Sequence, residues 1–252
     1  MIIASMNTKD KSIKLTSLMR DLYVQIPGYS DNRLNSAYSK GGIELLYDTI
    51  ALNFGVEMDG FALVNFNSFE LLVDLLDGVE VTLNSDEVYY LNTTNYISNP
   101  AYRNVIAGTQ TMTGNQALGY CRIRYVSTGT EIDDFGRTQR QRNILKAVFD
   151  KVKSKNIVQL GLLMNNILKN VPITTDVTGE EFTQYLKEAV SLKVNELENL
   201  RIPSDGNFEN IRVKLSKNAK ASALLQPIDW AATRDELRMF IYGNLTDTIL
   251  SN

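Results

Sequence analysis

The stretch Tyr120-Cys-Arg-Ile-Arg-Tyr-Val-Ser-Thr-Gly-Thr-Glu-Ile-Asp-Asp-Phe-Gly-Arg-Thr-Gln-Arg-Gln-Arg142 holds five of the twelve arginines in the chain. The whole protein of 252 residues has a formal net charge of −3, so this positive charge is local. A slightly acidic chain argues against broad nucleic-acid binding, which depends on neutralising many phosphates. The stretch therefore indicates a confined site for an anion.

The two arginines at the start of the stretch are predicted to lie on a strand. Aromatic and branched neighbours favour a strand at residues 121–125. Alternate side chains of a strand point to one face, so Arg122 and Arg124 would lie side by side. Like charges repel unless an anion or a carboxylate lies between them. The alternative is a solvated outer face, which is the commoner outcome for an Arg-x-Arg pair.

A long helix is predicted from Arg137 to Lys153, with a short helix before the stretch. Its core stripe would consist of Ile144, Leu145, Val148, Phe149 and Val152. At about 100° per residue, Gln141 falls near the centre of this stripe, Arg137 falls about 50° away and Arg140 lies at the edge. Arg137 and Gln141 are therefore expected to point into the body of the protein.

The start of this helix is a candidate anion site. Free N–H groups of a first helical turn carry a partial positive charge, and an arginine beside them adds to it. Asp133 or Asp134 can cap the turn. The alternative is a structural ion pair between Arg137 and Asp134.

Arg20 is a further inward charge. On a predicted strand from Ser12 to Ile26 it shares one face with the aliphatic residues Leu18, Leu22, Val24 and Ile26. It either aims its guanidinium group into a cleft or extends it to water from the end of the strand.

Together, Arg20, Arg122, Arg124 and Arg137 are predicted to form a phosphate-binding cluster. The planar guanidinium group binds phosphate through two hydrogen bonds and stays charged. Several arginines on one ligand indicate two phosphates. The pair Gly41-Gly42 lacks the spacing and the lysine of a phosphate-binding loop.

The rest of the chain predicts one α/β domain over residues 1–252, with a central mixed sheet flanked by helices on both faces.

The sequence contains no histidine, and Cys121 is the single cysteine, so Ser-His or Cys-His nucleophiles and disulfides within the chain are excluded. No apolar run approaches the ~20 residues of a membrane span. Met1 to Met6 resembles a strand already under way, so we expect an excised fragment or a mis-set start.

Four motifs resemble the LytR-CpsA-Psr (LCP) family, in the order of that family. They are residues 15–24 (LTSLMRDLYV), 33–42 (RLNSAYSKGG), 116–124 (QALGYCRIR) and 134–141 (DFGRTQRQ). The resemblance covers residues 1–155 well and the remainder loosely. It implies an extracytoplasmic, membrane-anchored enzyme, mostly of Gram-positive bacteria. Such enzymes transfer teichoic acid, capsular polysaccharide or other glycopolymers from polyprenyl-pyrophosphate carriers to peptidoglycan.

The resemblance also implies a site. Its α/β fold holds a hydrophobic tunnel for the prenyl chain, for which Leu45, Ile50, Phe66, Phe69, Leu72 and Val73 are candidates, with ordinary core as the alternative for each. By motif position, pyrophosphate binding falls to Arg20, Arg122, Arg124 and Arg137, with Arg140 and Gln141 as lesser candidates. Arg122, Arg124 and Arg137 are the expected catalytic residues, and Mg²⁺ (or Mn²⁺) is the expected cofactor.

Two departures from the family pattern matter. The family's metal-binding and base aspartates are expected before the position of Met1, together with an N-terminal membrane anchor, so no metal ligand is predicted in this chain. The loop from Tyr125 to Ile132 is longer than is usual in the family. Alternative functions are a non-catalytic polyprenyl-phosphate-binding protein and a nucleic-acid-binding regulator, although no nucleic-acid partner is predicted.

Overall fold

The computed structural model describes residues 1–216 and 220–243, which form two compact units. The first comprises Met1–Phe61 with Ser191–Asn252, and the second comprises Ala62–Val190. The first contains strands β1 (Ile2–Asn7), β2 (Ser12–Leu18), β3 (Tyr23–Val24), β4 (Asn32–Arg33), β9 (Glu198–Ile202), β10 (Phe208–Val213) and β11 (Ser222–Pro227), and helices α1 (Leu34–Phe54) and α8 (Trp230–Tyr242). The second contains strands β5 (Ala62–Val64), β6 (Val79–Leu83), β7 (Gly108–Met112) and β8 (Ile173–Thr175), a 3₁₀ helix (Pro100–Tyr102), and helices α2 (Phe66–Leu75), α3 (Ser85–Thr93), α4 (Gly114–Arg122), α5 (Asp133–Lys153), α6 (Ile157–Asn170) and α7 (Gly179–Ser191). The prediction of one domain over residues 1–252 stays a prediction.

A mixed three-stranded sheet in the order β1-β2-β9 organises the first unit. β1 runs antiparallel to β2, and β2 runs parallel to β9. β3 with β4, and β10 with β11, form separate antiparallel pairs. This arrangement of mixed sheet and helices confirms the predicted α/β class.

The predicted strand from Ser12 to Ile26 is wrong in its second half. β2 ends at Leu18, whose pairing partner on β9 is Ile202. The chain then turns, and the carbonyl of Arg20 accepts a hydrogen bond from the Asn35 N–H instead of continuing the sheet.

The sequence predicts a helix from Gly42 to Phe54, stopped by Gly55. The observed helix α1 starts earlier, at Leu34. Its path is broken by non-helical backbone at Gly41 and Gly42, so two helical segments meet there. The end at Phe54 is confirmed: Gly55 takes the left-handed conformation, and its N–H bonds to the carbonyl of Ala51.

The polar composition of residues 84–112, in the second unit, predicts a loop, and this prediction is wrong. They form α3, the 3₁₀ helix and β7, which pairs antiparallel with β6. A capping box starts α3: the Asn84 side chain accepts from the Glu87 N–H, and the Glu87 carboxylate accepts from the Asn84 N–H. Three apolar residues of this segment, Leu91, Ile97 and Val105, are almost completely buried in the core of the unit.

Helices α2 and α4 of this unit approach closely at Gly114. A Cβ atom at this position would lie 2.2 Å from the carbonyl oxygen of Glu70. The Gly114 N–H also donates to the Asp74 carboxylate at 2.7 Å. Glycine thus fixes the position of α4, which carries Arg122 at its other end.

Among the described helices, none combines the length and the hydropathy needed to cross a membrane.

Candidate functional site: an arginine cluster at the ends of two helices

The prediction that Arg122 and Arg124 lie on a strand is wrong. Arg122 is the last residue of α4, and Arg124 follows in the connection to α5. A capping box between Thr113 and Gln116 starts this helix, and residues from Gly114 to Cys121 are buried along it. Local capping and burial therefore outweigh the strand preference of the aromatic and branched residues. A cation at the last turn is also favoured by the helix dipole.

The guanidinium group of Arg122 lies over two aromatic rings. Its central carbon is 5.0 Å from the centre of the Phe66 ring and 5.6 Å from that of Tyr96. Such cation–π contacts hold a cation on an aromatic surface while its N–H groups stay available to an anion. Arg122 itself is exposed.

Arg124 and Arg137 meet at the carboxylate of Asp134. Arg124 Nε lies 3.3 Å from Asp134 Oδ1, and Arg137 Nη2 lies 3.1 Å from Oδ2. The Arg124 side chain is 35% exposed and that of Arg137 is 15% exposed. The sequence raised an anion or a carboxylate between Arg122 and Arg124; the structure instead has a carboxylate of the chain itself between Arg124 and Arg137.

Helix α5 begins at Asp133, earlier than predicted, and its N-cap is Ile132, which makes no side-chain capping bond. Neither Asp133 nor Asp134 is therefore the N-cap. Both lie in the first turn, where a carboxylate is favoured by the free N–H groups. The structural pair of Arg137 with Asp134, stated above as the alternative, is the arrangement observed.

Arg140 lies at the centre of the buried side of α5, not at its edge. Gly136, Arg140, Ile144 and Ala147 are buried, while Gln141 is half-buried. The predicted core stripe is therefore placed wrongly on the helix. Of its five residues only Ile144 is buried, whereas Leu145, Val148, Phe149 and Val152 are half-buried.

The Arg140 guanidinium group is fully buried and satisfied by protein groups. Its Nε donates to Glu87 Oε1 at 2.8 Å, and the Glu87 side chain is 3% exposed. Its other nitrogens donate to the carbonyls of Ile123 and Val126, at 3.3 and 2.8 Å. The Asn84 side chain donates to the carbonyl of Ser127. This network fixes the backbone on both sides of Arg124, so Arg140 has a structural role here. Binding of pyrophosphate by Arg140 or Gln141 stays a prediction.

Tyr120 and Cys121 lie next to this network. The ring of Tyr120 is 5.7 Å from the Arg140 guanidinium carbon. Burial raises the pKa of Tyr120 to about 12, and burial likewise raises the pKa of Cys121 to about 12. Both groups are therefore protonated near neutral pH, and Cys121 is not a nucleophile there.

Arg20 belongs to the first unit. Its Nε lies 3.4 Å from Asp21 Oδ2, and Arg33 Nε lies 3.0 Å from Asp21 Oδ1. The Arg20 side chain is 37% exposed, whereas the four aliphatic residues predicted to share its face are buried. Its participation in the phosphate cluster stays a prediction.

The six predicted tunnel residues have different environments. Ile50 and Val73 are buried, and Leu45 and Leu72 are half-buried. Phe69 packs against the core of the second unit, to which Val73 belongs, while Phe66 is 58% exposed and lies under Arg122. Val73 and Phe69 thus contribute to an ordinary core, and the tunnel stays a prediction.

Among residues 1–216 and 220–243, no three His, Cys, Asp or Glu side chains come together to hold a metal ion. Asp134, the carboxylate of the arginine cluster, is already shared by two guanidinium groups. Mg²⁺ requires several oxygen ligands. The arginine cluster alone therefore does not fit Mg²⁺ or Mn²⁺, and the metal stays a prediction.

Two residues of this region were missed by sequence reasoning. Asp134 was considered only as a helix cap or as the partner of Arg137, and its bond to Arg124 depends on the fold of the loop between them. Glu87 could have been found from the sequence, because Asn84-Ser-Asp-Glu87 is a capping-box pattern that predicts a helix start with Glu87 in its first turn.

Comparisons with known proteins agree with this fold. The LytR_cpsA_psr family profile matches residues 1–226. Regulatory protein MsrR of Staphylococcus aureus is 30% identical over 225 residues, which cover 83% of this chain and 64% of MsrR. Polyisoprenyl-teichoic acid–peptidoglycan teichoic acid transferase TagT of Bacillus subtilis is 32% identical over 194 residues, 76% of this chain and 53% of TagT. This chain thus spans less than two thirds of either relative.

Solved structures show the same fold. TagT bound to LIIa-WTA superimposes with a TM-score of 0.74 at 23% identity, over 95% of this chain and 84% of that chain. Protein gbs0355 from Streptococcus agalactiae gives a TM-score of 0.73 at 22% identity, over 95% of this chain and 78% of that chain. With the family profile matched over residues 1–226, the chain belongs to the LytR-CpsA-Psr family.

Proposed function

We propose that this protein is a phosphotransferase that attaches a cell-wall glycopolymer, carried on polyprenyl pyrophosphate, to peptidoglycan. The observation that carries the proposal is the meeting of Arg124 and Arg137 at one anionic group, with Arg122 two residues before Arg124. Membership of the family, and the names of TagT and of the Enterococcus faecalis relative TagU as teichoic acid transferases, support it. The donor and the acceptor place the reaction on the outer side of the cell membrane.

In this reaction an acceptor hydroxyl attacks the phosphorus next to the glycan. A new P–O bond forms, the bond to the bridging oxygen of the pyrophosphate breaks, and polyprenyl phosphate leaves with the hydroxyl proton. Phosphoryl transfer of this kind depends on positioning and on neutralising charge. Arg122, Arg124 and Arg137 supply that charge without a change of protonation.

A transfer assay tests the proposal. Arg122→Ala should reduce glycopolymer transfer at least about 100-fold, the loss typical when a key charge donor is removed. Arg122 is exposed at a helix end, so the circular dichroism spectrum and the melting temperature should stay as in the wild type. Arg212→Ala, on the exposed side of β10, is the matched control. Transfer at the wild-type rate by Arg122→Ala would refute its role. A wild-type protein that binds the donor without transferring it would favour the carrier-binding alternative.

A further inference from the structure

Three tyrosine side chains of the second unit lie together beside the arginine cluster, and we call Tyr90, Tyr96 and Tyr125 the tyrosine patch. The rings of Tyr90 and Tyr96 are 5.0 Å apart and tilted by 59°. Tyr125, which follows Arg124 in the sequence, is near enough to Tyr90 to contribute electrostatically to the raised pKa of Tyr90. The patch is therefore a local cluster of phenol rings.

The side chains of the tyrosine patch are only partly buried in the hydrophobic core. Tyr90 and Tyr96 pack against the hydrophobic core but are half-buried, and Tyr125 is 70% exposed. Grouped exposed aromatic rings commonly mark a binding surface, whereas single exposed apolar residues do not.

Arg122 joins the patch to the proposed pyrophosphate site, because its guanidinium group lies over the Tyr96 ring. A group attached directly to a phosphate held by Arg122 would therefore reach this ring. In the proposed donor that group is the first sugar of the glycopolymer on one side and the prenyl chain on the other.

The chemistry of the patch favours the sugar. Burial, the hydrogen bond with Tyr96 and the neighbouring hydroxyls raise the pKa of Tyr90 to about 12, so the Tyr90 hydroxyl is uncharged at neutral pH. A pyranose ring has a C–H face that packs on an aromatic ring and hydroxyl groups that bond to phenol hydroxyls. A prenyl chain has no polar group to match these hydroxyls.

We propose that the tyrosine patch is the subsite for the pyranose ring attached to the pyrophosphate of the donor, an assignment that rests on the proposed function. Tyr96 would stack on the sugar next to the phosphate, and Tyr90 and Tyr125 would contact its face and its hydroxyl groups.

Calorimetric titration with two soluble probes tests this inference: geranyl pyrophosphate, and geranyl pyrophosphate carrying N-acetylglucosamine. The sugar-bearing probe should bind the wild type more tightly. Tyr125→Ala should weaken its binding about fivefold and leave the affinity for geranyl pyrophosphate unchanged, whereas Tyr125→Phe should keep most of the gain. Tyr125 is so exposed that both variants should fold. Tyr89→Ala is the matched control, since Tyr89 is 72% exposed and lies about 100° around α3 from Tyr90.

The results separate two kinds of failure. If geranyl pyrophosphate binds and the sugar adds no affinity, or if Tyr125→Ala weakens both probes equally, the sugar subsite is refuted while the pyrophosphate site stands. If the wild type binds neither probe, the proposed function fails and the sugar subsite falls with it.

Discussion

At the scale of single residues, Asp134 decides how the arginine cluster is organised. Its two carboxylate oxygens orient Arg124 and Arg137 and offset the repulsion between them. Asp134→Ala should therefore raise the KM for the lipid-linked donor about tenfold, the loss of one charge-assisted contact. Asp134→Asn keeps one acceptor oxygen and should therefore raise the KM for this donor less. Steady-state kinetics of both variants test this expectation. A lower KM in Asp134→Ala would contradict it, because the carboxylate would then merely compete with the substrate.

The buried pair of Arg140 and Glu87 gives a second prediction at this scale. Arg140→Ala leaves the Glu87 carboxylate buried without its partner, which should lower the free energy of unfolding by about 3–5 kcal/mol. Lys146→Ala breaks an exposed pair with Asp150 and should cost less than about 1 kcal/mol. Urea unfolding of both variants compares the two costs. Equal losses of unfolding free energy in the two variants would show that the Arg140 network does not stabilise the core.

At the scale of elements, the close approach of α2 and α4 depends on a missing side chain. Gly114→Ala places a methyl group against the backbone of Glu70 and should destabilise the protein by about 1–3 kcal/mol. Gly161→Ala is the matched control, because that helical glycine of α6 has open space at the Cβ position. This control should stabilise the protein by about 0.5–1 kcal/mol. Urea unfolding distinguishes the two, and a neutral Gly114→Ala would contradict the packing described here.

Most elements could be predicted from local sequence, and the errors share one cause. The alternating residues of Val79–Leu83 predict a strand, and the sequence predicts a helix over Trp230–Tyr242. The structure has both elements with these bounds. The strand predicted at Arg122 is the end of α4, and part of the loop predicted at residues 84–112 is α3. Both helices begin with a capping box, although the composition of these segments favours a strand or a loop. Caps and burial therefore carried more information there than β propensity did.

The site was predictable in residue type more than in geometry. Asp134 was expected near Arg137 because of their i, i+3 spacing, and the structure shows that pair. Its contact with Arg124 spans a loop whose path is set by hydrogen bonds to Arg140 and Asn84, which no local pattern reveals. The burial of Arg140 was missed for the same reason: its partner Glu87 lies 53 residues away.

At the scale of the whole molecule, buried ionisable groups predict that the free energy of unfolding falls at alkaline pH. The pKa values of Tyr120 and Cys121 are about 12 in the folded protein, above their ordinary values of 10.0 and 9.0. Below about pH 8 both groups are protonated in both states, so their contribution to stability is complete. As the pH rises from about 8 towards 12, the unfolded chain loses these protons first and folding becomes less favourable.

Urea midpoints at pH 8, 10 and 11 test this expectation. The midpoint of the wild type should fall over this range, and that of Tyr120→Phe should fall less because the titrating group is gone. The same pH dependence in both proteins would show that Tyr120 does not contribute to the alkaline loss.

The central claim is that Arg122, Arg124 and Arg137 bind one pyrophosphate group. A crystal structure of the protein with geranyl pyrophosphate tests it most directly. The claim predicts density for both phosphates within hydrogen-bond distance of the three guanidinium groups, with Asp134 still beside Arg124 or Arg137. Density for the head group elsewhere, with the three arginine side chains directed separately into solvent, would contradict it.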